Sequence, residues 1–148
     1  MNIHEIRRLS RISTDGYRSG IENAMNILVI EDDPSHLKLA RLVLDAAGHK
    51  VSAAEAAEGF DTIKRERPQV VLLDLELPGM DGLTLARKLK ADPETRDIQI
   101  VGITSYTEKY SRAEALKAGC DAYLAKPINT RTLAQQLEVV AKKSSGPA

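Results

Sequence analysis

The chain of 148 residues is long enough for one domain with a proper hydrophobic core and too short for two domains of ordinary size. Because 21 basic residues balance 21 acidic ones, its net charge of zero gives no electrostatic footprint for nucleic acid or an anionic membrane. The single Cys120 excludes an internal disulfide and a cysteine-based metal site. No apolar run approaches the length of a membrane span and no signal-peptide pattern opens the chain, so we expect a cytoplasmic protein.

The first part of the chain, residues 1–24, allows two interpretations. Apolar residues recur among arginines at roughly three-residue spacing, namely Ile3, Ile6, Leu9 and Ile12. One interpretation is a short amphipathic helix that binds a partner or packs on the domain. The other is a frayed tail, or a start annotated upstream of a true one at Met25.

From residue 26 onward, strand-like apolar runs alternate with segments of helical periodicity. The predicted strands are 26–30, 49–53, 69–73, 99–104 and 121–125. Helix boundaries are indicated by the capping pair Asp33-Pro34 and by Gly48 and Gly119, each of which precedes a strand. Strict alternation of five strands and five helices predicts a doubly wound α/β domain, a parallel sheet covered on both faces. We expect this domain over residues 25–143, with residues 144–148 as a flexible tail.

Charged and hydroxyl side chains follow the predicted strands at the edge where their carboxyl ends meet. The run "VVLLDLELPG" at 70–79 delivers Asp74 at the end of a strand that its apolar residues predict to be buried on both faces. The other strands end in Glu31-Asp32-Asp33, in Thr104-Ser105 and in Lys126-Pro127. Ligands of open parallel sheets bind at this edge, so the sequence predicts a site there.

Crowded carboxylates need positive charge nearby, because like charge and partial desolvation both raise their pKa values. Mg²⁺ fits, since it is usually held by one or two carboxylates together with water and phosphate oxygens. Lys126 could add a mobile positive charge suited to a phosphoryl oxygen.

Several nearby residues have simpler explanations. We expect Asp33 to cap a helix, Asp81 and Gly82 to form a turn and cap, and Cys120 to be a small buried residue. The three histidines, His4, His36 and His49, are scattered and indicate no metal cluster.

The segments "ILVIEDD", "VVLLDLELPGMDG", "IVGITS" and "DAYLAKP" occur in this order, with helical segments between them. With this pattern the chain from about Asn26 to Lys143 resembles the receiver domain of bacterial response regulators. The resemblance implies a five-stranded flavodoxin-like sheet in the order 2-1-3-4-5. It also implies that Asp74 accepts a phosphoryl group from a histidine kinase or a histidine phosphotransfer protein, and that the chain is a signalling domain that catalyses only its own phosphorylation and dephosphorylation.

The resemblance assigns roles to further residues. Glu31 and Asp32 match the acidic pair that holds Mg²⁺, together with Asp74 and the backbone carbonyl of Glu76. Thr104 matches the hydroxyl residue that hydrogen-bonds the phosphoryl group, and Lys126 matches the lysine that forms an ion pair with it.

Conformational roles follow from the same match. The Lys126-Pro127 peptide is expected to be cis. Tyr123 matches the aromatic residue that turns inward when Thr104 moves toward the phosphoryl group.

Two expectations concern hydrolysis and partners. Glu76 and Tyr106 flank the path of a hydrolytic water, so they should tune the lifetime of the phosphorylated state. Tyr106, Tyr110 and Tyr123 gather near the last two helices in a chain with only 3% aromatic residues, which suggests a face for a downstream protein. Dimerisation through the fourth and fifth helices stays open.

Other classes compete with this interpretation. A flavodoxin-like cofactor binder would need hydroxyls and glycines where Glu31, Asp32 and Asp33 stand. A haloacid-dehalogenase-like phosphatase would carry its aspartate signature at the first strand, whereas Asp74 follows the third. A receiver-like binding module that works without phosphorylation, and a receiver excised from a hybrid kinase, are the remaining alternatives to a stand-alone response regulator.

Overall fold

The computed structural model describes residues 24–144, with side chains described as far as Lys142. The hypotheses on the amphipathic N-terminal segment and on the tail beyond Ser144 lie outside the described residues. Within them, no helix combines the length and the apolar character needed to cross a bilayer.

Five parallel strands form the central sheet, in the order β2-β1-β3-β4-β5. They are β1 (Asn26–Ile30), β2 (Lys50–Ala54), β3 (Val70–Asp74), β4 (Gln99–Thr104) and β5 (Ala122–Ala125). This confirms the predicted order 2-1-3-4-5. An antiparallel hairpin of two two-residue strands, Glu76–Leu77 and Met80–Asp81, follows β3 and was not predicted.

The predicted strand bounds are correct for β1 and β4, whereas β2 and β3 lie one residue later and β5 begins one residue later. Apolar patterning shows which residues are buried but not which residue makes the first ladder contact. Here Asn26 pairs with Lys50, so His49 stays outside the ladder.

In the described part of the chain five α-helices cover the sheet, as predicted, and a short 3₁₀ turn at Ala56–Glu58 precedes the second of them. The helices are α1 (Pro34–Ala46), α2 (Gly59–Glu66), α3 (Gly82–Ala91), α4 (Arg112–Ala118) and α5 (Leu133–Ser144).

The predicted caps are confirmed. The Asp33 carboxylate accepts hydrogen bonds from the N–H groups of Ser35 and His36, and the Asp81 carboxylate accepts one from Leu83. Gly119 ends α4 with a φ of +112°, which favours glycine.

The core consists of two apolar layers, one on each face of the sheet. Because successive side chains of a strand point to opposite faces, Leu28 and Ile30 join the layer beneath α2, α3 and α4, whereas Ile27 and Val29 pack with α1 and α5. All five residues of β3 are buried. Cys120 is buried as expected, and burial raises the pKa of its thiol to about 11.

Candidate functional site

Asp74 is the last residue of β3, and the backbone around it holds its carboxylate in place. Its side chain is almost fully buried, and Oδ1 accepts a hydrogen bond of 3.0 Å from the Glu76 N–H. Gly82 packs against the same backbone so closely that an added Cβ would lie 2.8 Å from the Asp74 carbonyl oxygen and 2.6 Å from the Leu75 Cα. The fold thus presents one nearly desolvated carboxylate at the end of the central strand.

The acidic loop after β1 brings two more carboxylates to the same edge. Glu31 is buried, and its Oε2 accepts a 3.1 Å hydrogen bond from the Asp33 N–H. Asp32 is half-buried, and its Oδ1 accepts a 3.2 Å bond from the Ala56 N–H. Asp33 faces solvent and caps α1, so it is separated in function from the other two.

Lys126 extends from the end of β5 and links the two buried carboxylates. Its Nζ lies 2.7 Å from Glu31 Oε1 and 3.2 Å from Asp74 Oδ2. A third partner, His36 Nδ1, lies 2.9 Å from the same nitrogen. The Lys126-Pro127 peptide is cis, as expected.

The pKa values of Glu31 and Lys126 are both raised, but for different reasons. Burial raises the pKa of Glu31, the nearby Asp74 carboxylate adds to the increase, and the hydrogen bond from Lys126 opposes it. For Lys126, burial disfavours the ammonium, but the hydrogen bond to Glu31 and the charges of Asp74 and Glu31 outweigh this and raise its pKa. Two carboxylates therefore share one ammonium, and the cluster can accommodate further positive charge.

Thr104, the last residue of β4, lies beneath the surface beside the site. Its side chain is fully buried, and Oγ1 accepts a 2.9 Å hydrogen bond from the Tyr106 N–H. Asp74 pairs with Ile103 in the sheet, so Thr104 is one residue further along the neighbouring strand. While it accepts this bond, the hydroxyl still has its own hydrogen to donate to another group.

The three tyrosines do not form an exposed cluster. Tyr106 is 56% exposed, but Tyr110 and Tyr123 are buried. The Tyr123 hydroxyl donates a hydrogen bond to the Tyr110 carbonyl, and the Arg112 guanidinium lies over its ring. Tyr123 thus already occupies an inward position in this structure. The prediction of an exposed face of three tyrosines is therefore wrong: only Tyr106 of the three has an exposed ring. The rings of Tyr110 and Tyr123 belong to the core layer beneath α4.

An open cleft joins these residues at the carboxyl edge of the sheet. Its lining includes most of the predicted site, namely Glu31, Asp32, Asp74, Glu76, Tyr106 and Lys126, together with Asp33, His36, Pro78 and Ser105. Thr104 and Tyr123 lie outside this lining. Lys109 Nζ approaches Glu76 Oε2 at 3.8 Å from the loop after β4.

The donor set fits Mg²⁺ by its chemistry. Within residues 24–144, no three His, Cys, Asp or Glu side chains stand together closely enough to hold a metal by themselves. Mg²⁺ does not require such a cage, because it is commonly held by one or two carboxylates and keeps several waters. The carboxylates of Glu31, Asp32 and Asp74 offer hard oxygen atoms at a cleft open to water, and each oxygen can accept more than one contact.

Sequence reasoning missed two histidines that have specific partners. His36 contacts Lys126, as described above, and its place in the first turn after the acidic loop was the available signal. His49 is buried, with Nδ1 3.0 Å from the Met25 N–H and Nε2 2.8 Å from Glu138 Oε2 of α5. No local pattern indicates that contact.

Comparison with known proteins decides the family. The family model described as "Response regulator receiver domain" matches residues 27–138, most of the chain. The chain belongs to the response regulator receiver domain family. Receiver domains are signalling domains of two-component systems, and they interact with histidine kinases and phosphotransfer proteins.

Curated relatives agree with this assignment. The receiver is 30% identical over 105 residues to the polar-differentiation response regulator DivK of Brucella anthropi, covering 70% of this chain and 85% of that protein. It is 38% identical over 104 residues to the response regulator PleD of Caulobacter vibrioides, of which it spans only 23% while 70% of this chain is covered.

Solved structures share the fold. A CheY-like receiver domain protein from Methanospirillum hungatei is 29% identical with a TM-score of 0.75, covering 82% of this chain and 97% of that one. The receiver domain of sensor histidine kinase PA1611 from Pseudomonas aeruginosa is 25% identical with a TM-score of 0.70, covering 83% and 99%. That structure is described with a magnesium ion coordinated in the active site cleft, and the family typically binds Mg²⁺ there.

Proposed function

We propose that this receiver accepts a phosphoryl group on Asp74 from a histidine kinase or a histidine phosphotransfer protein, and that this changes its binding to a partner. The observation that carries the proposal is the contact of one ammonium, Lys126 Nζ, with both Asp74 and Glu31 at the mouth of the cleft. Burying a carboxylate at the end of a strand costs free energy unless ion pairs and hydrogen bonds compensate for the lost hydration. The position of Asp74 at the end of β3 rather than β1 also argues against a haloacid-dehalogenase-like phosphatase.

The transfer exchanges one phosphorus bond for another. An Asp74 carboxylate oxygen forms a bond to phosphorus, the P–N bond of the phosphohistidine donor breaks, and the electron pair of that bond stays on the histidine nitrogen, which takes up a proton. Asp74 becomes an acyl phosphate. The Glu76 N–H fixes one Asp74 oxygen, so the carboxylate is oriented before the donor arrives.

Charge stabilisation comes from groups that are already in place. Lys126 lies 3.2 Å from Asp74 Oδ2 and can contact a phosphoryl oxygen after a small movement. Mg²⁺, when bound, would supply further positive charge against the phosphoryl oxygens. We assign its protein contacts to Glu31, Asp32, Asp74 and the backbone carbonyl of Glu76.

The response involves Thr104 and Tyr123. The phosphoryl group adds negative charge and acceptor oxygens, which favour rotation of the Thr104 hydroxyl away from the Tyr106 amide. Tyr123 is the aromatic side chain whose packing follows this movement. Because its hydroxyl bonds the Tyr110 carbonyl, any change at Tyr123 reaches the loop that precedes α4. We infer that a downstream protein binds near this loop, where the ring of Tyr106 is exposed.

We also propose that the receiver domain spans residues 25–143 and that the protein is cytoplasmic.

The first test is the intact mass of the protein after incubation with acetyl phosphate and Mg²⁺. The wild-type chain should gain one phosphoryl group, and the Asp74→Asn variant should gain none, because the nucleophilic oxygen is replaced while shape is kept. Asp45→Asn, an exposed carboxylate on α1, is the matched control and should behave as wild type. Equal labelling of the Asp74→Asn variant would contradict the assignment. No labelling of the wild type would favour a receiver-like binding module that works without phosphorylation.

Tyr106 and Glu76 are proposed to tune the lifetime of the phosphorylated state, because both line the cleft. The bulky Tyr106 ring should shield the acyl phosphate from water. In the Tyr106→Ala variant we expect loss of the phosphoryl group to become roughly twofold faster or more, measured by intact mass after removal of the donor. Thr107→Ala, in the same exposed loop, serves as the control. A lifetime unchanged in Tyr106→Ala would rule out shielding by this ring.

A further inference from the structure

His36 lies beside the Lys126 ammonium, at a position that the proposed function leaves without a role. Its Nδ1 is 2.9 Å from Lys126 Nζ and 3.7 Å from Glu31 Oε1. The imidazole lines the cleft and about half of it is exposed. It therefore stands where it can act on the lysine without being part of the core.

The backbone of His36 is fixed by the helix cap. Asp33 Oδ1 accepts hydrogen bonds from the N–H groups of Ser35, at 2.8 Å, and of His36, at 3.2 Å. Helical side chains point back toward the helix N-terminus. For His36, in the first turn of α1, this direction leads to the acidic loop that follows β1, and so to Glu31 and Lys126.

Lys126 has as many acceptors as it has hydrogens to donate. An ammonium carries three donors, and Nζ has three partners within hydrogen-bond distance, namely Glu31 Oε1, Asp74 Oδ2 and His36 Nδ1. The Lys126 side chain is only 10% exposed, so water has little access to it. Because an ammonium only donates hydrogen bonds, His36 Nδ1 is the acceptor in this contact.

We propose that His36 is a positioning residue that holds the Lys126 ammonium at the place where the phosphoryl group arrives. The inference rests on the proposed function, in which Asp74 is phosphorylated. An Asp74 oxygen that has become bonded to phosphorus is a weaker acceptor, so Lys126 must release it and turn to a phosphoryl oxygen. Glu31 and His36 continue to accept hydrogen bonds from the other two N–H groups of the ammonium. The flexible Lys126 side chain therefore does not have to change its conformation when the phosphoryl group arrives.

The test separates the acceptor atom from the shape of the side chain. His36→Leu removes the acceptor, whereas His36→Asn places an amide oxygen near the position of Nδ1. Lys38→Leu, on the exposed side of the same helix, is the matched control. The rate of phosphorylation by acetyl phosphate at saturating Mg²⁺ is measured by intact mass. Mg²⁺ affinity and urea unfolding are measured for every variant.

We expect His36→Leu to be phosphorylated about tenfold more slowly, the effect of losing one hydrogen bond to a charged group. His36→Asn should stay within about twofold of wild type, and Lys38→Leu should match it. Mg²⁺ affinity should be unchanged in all three. A double-mutant cycle adds a readout that a merely structural role would not produce: in the Lys126→Met background, His36→Leu should cause no further loss of rate.

Three results would overturn the inference. They are a wild-type rate in His36→Leu, an equal loss of rate in His36→Leu and His36→Asn, and an undiminished effect of His36→Leu when Lys126 is replaced by Met. These results differ from failure of the proposed function, which would show as no phosphorylation of the wild-type chain at all and would remove both proposals together.

Discussion

At the scale of single residues, the site depends on how closely the backbone packs behind Asp74. Gly82 begins α3 directly beneath the end of β3, with no room for a side chain on the Leu75 side. Gly79, three positions earlier, has the opposite character: its φ is +68°, but an added Cβ would meet nothing within 4 Å. The two glycines are needed for different reasons, one for space and one for backbone conformation.

Gly82→Ala should therefore be costlier than Gly79→Ala. The first places Cβ 2.6 Å from a backbone atom that cannot move freely, and we expect a loss of about 3 kcal/mol in the free energy of unfolding. The second forces a left-handed conformation on alanine at a cost of about 1 kcal/mol. Urea unfolding of both variants measures the difference. Equal losses would show that the close approach at Gly82 relaxes easily.

At the scale of elements, α2 and α3 are joined by an ion pair at the end of α3. Asp92 follows α3, and its Oδ1 accepts a 2.8 Å hydrogen bond from the Glu94 N–H. Its Oδ2 lies 3.2 Å from Lys64 Nζ of α2. The Glu94 amide and then the Lys64 ammonium hold the pKa of Asp92 below its ordinary value of 3.8. The carboxylate thus favours the folded state only while it is charged.

The sign of the pH dependence follows from this lowered pKa. The stabilisation is present above pH 3.8 and is lost as the pH falls through the lower pKa of the folded state. Asp92→Asn should be less stable than wild type near neutral pH, and the difference should shrink below pH 3.8, as measured by urea unfolding. Asp97→Asn, an exposed residue of the same loop, is the control. A difference that stays constant across this range would mean that the charge of Asp92 contributes nothing.

At the scale of the whole molecule, the cleft joins loops from both halves of the sheet, so a ligand there stabilises the fold globally. The acidic loop comes from the first strand, Asp74 from the third and Lys126 from the fifth. His49 provides a second long-range connection at the other edge, through the Met25 N–H and Glu138. Binding to the folded state alone must raise the free energy of unfolding.

Mg²⁺ should therefore stabilise the protein against urea. At a concentration one hundred times its Kd, the expected gain is about 2.7 kcal/mol. Asp32→Asn should lose most of this gain while keeping the hydrogen bond that the Asp32 side chain accepts from the Ala56 N–H. Asp45→Asn should retain it, because that carboxylate is exposed on α1 outside the cleft. Equal gains in the two variants would place the ion elsewhere.

The sequence by itself determined the alternation of strands and helices, the helix caps and the edge at which Glu31, Asp32, Asp74 and Lys126 meet, whereas the strand order was implied by the resemblance to receiver domains. It did so because burial and capping leave local patterns: the apolar run of β3 ends in a carboxylate, and Asp33-Pro34 begins a helix wherever it stands. The short hairpin after β3 was not predicted, because strands of two residues are too short to show a periodic pattern of apolar residues.

Only the tertiary structure decided which side chains touch across long stretches of chain. His36 meets a lysine 90 positions away, and its place in the first turn after the acidic loop was the only local signal. His49 meets a glutamate 89 positions away without any local signal. Burial of Tyr110 and Tyr123, with Tyr106 left exposed, likewise depends on how α4 packs on the sheet. Such contacts are set by the relative placement of elements, which the period of a single segment does not encode.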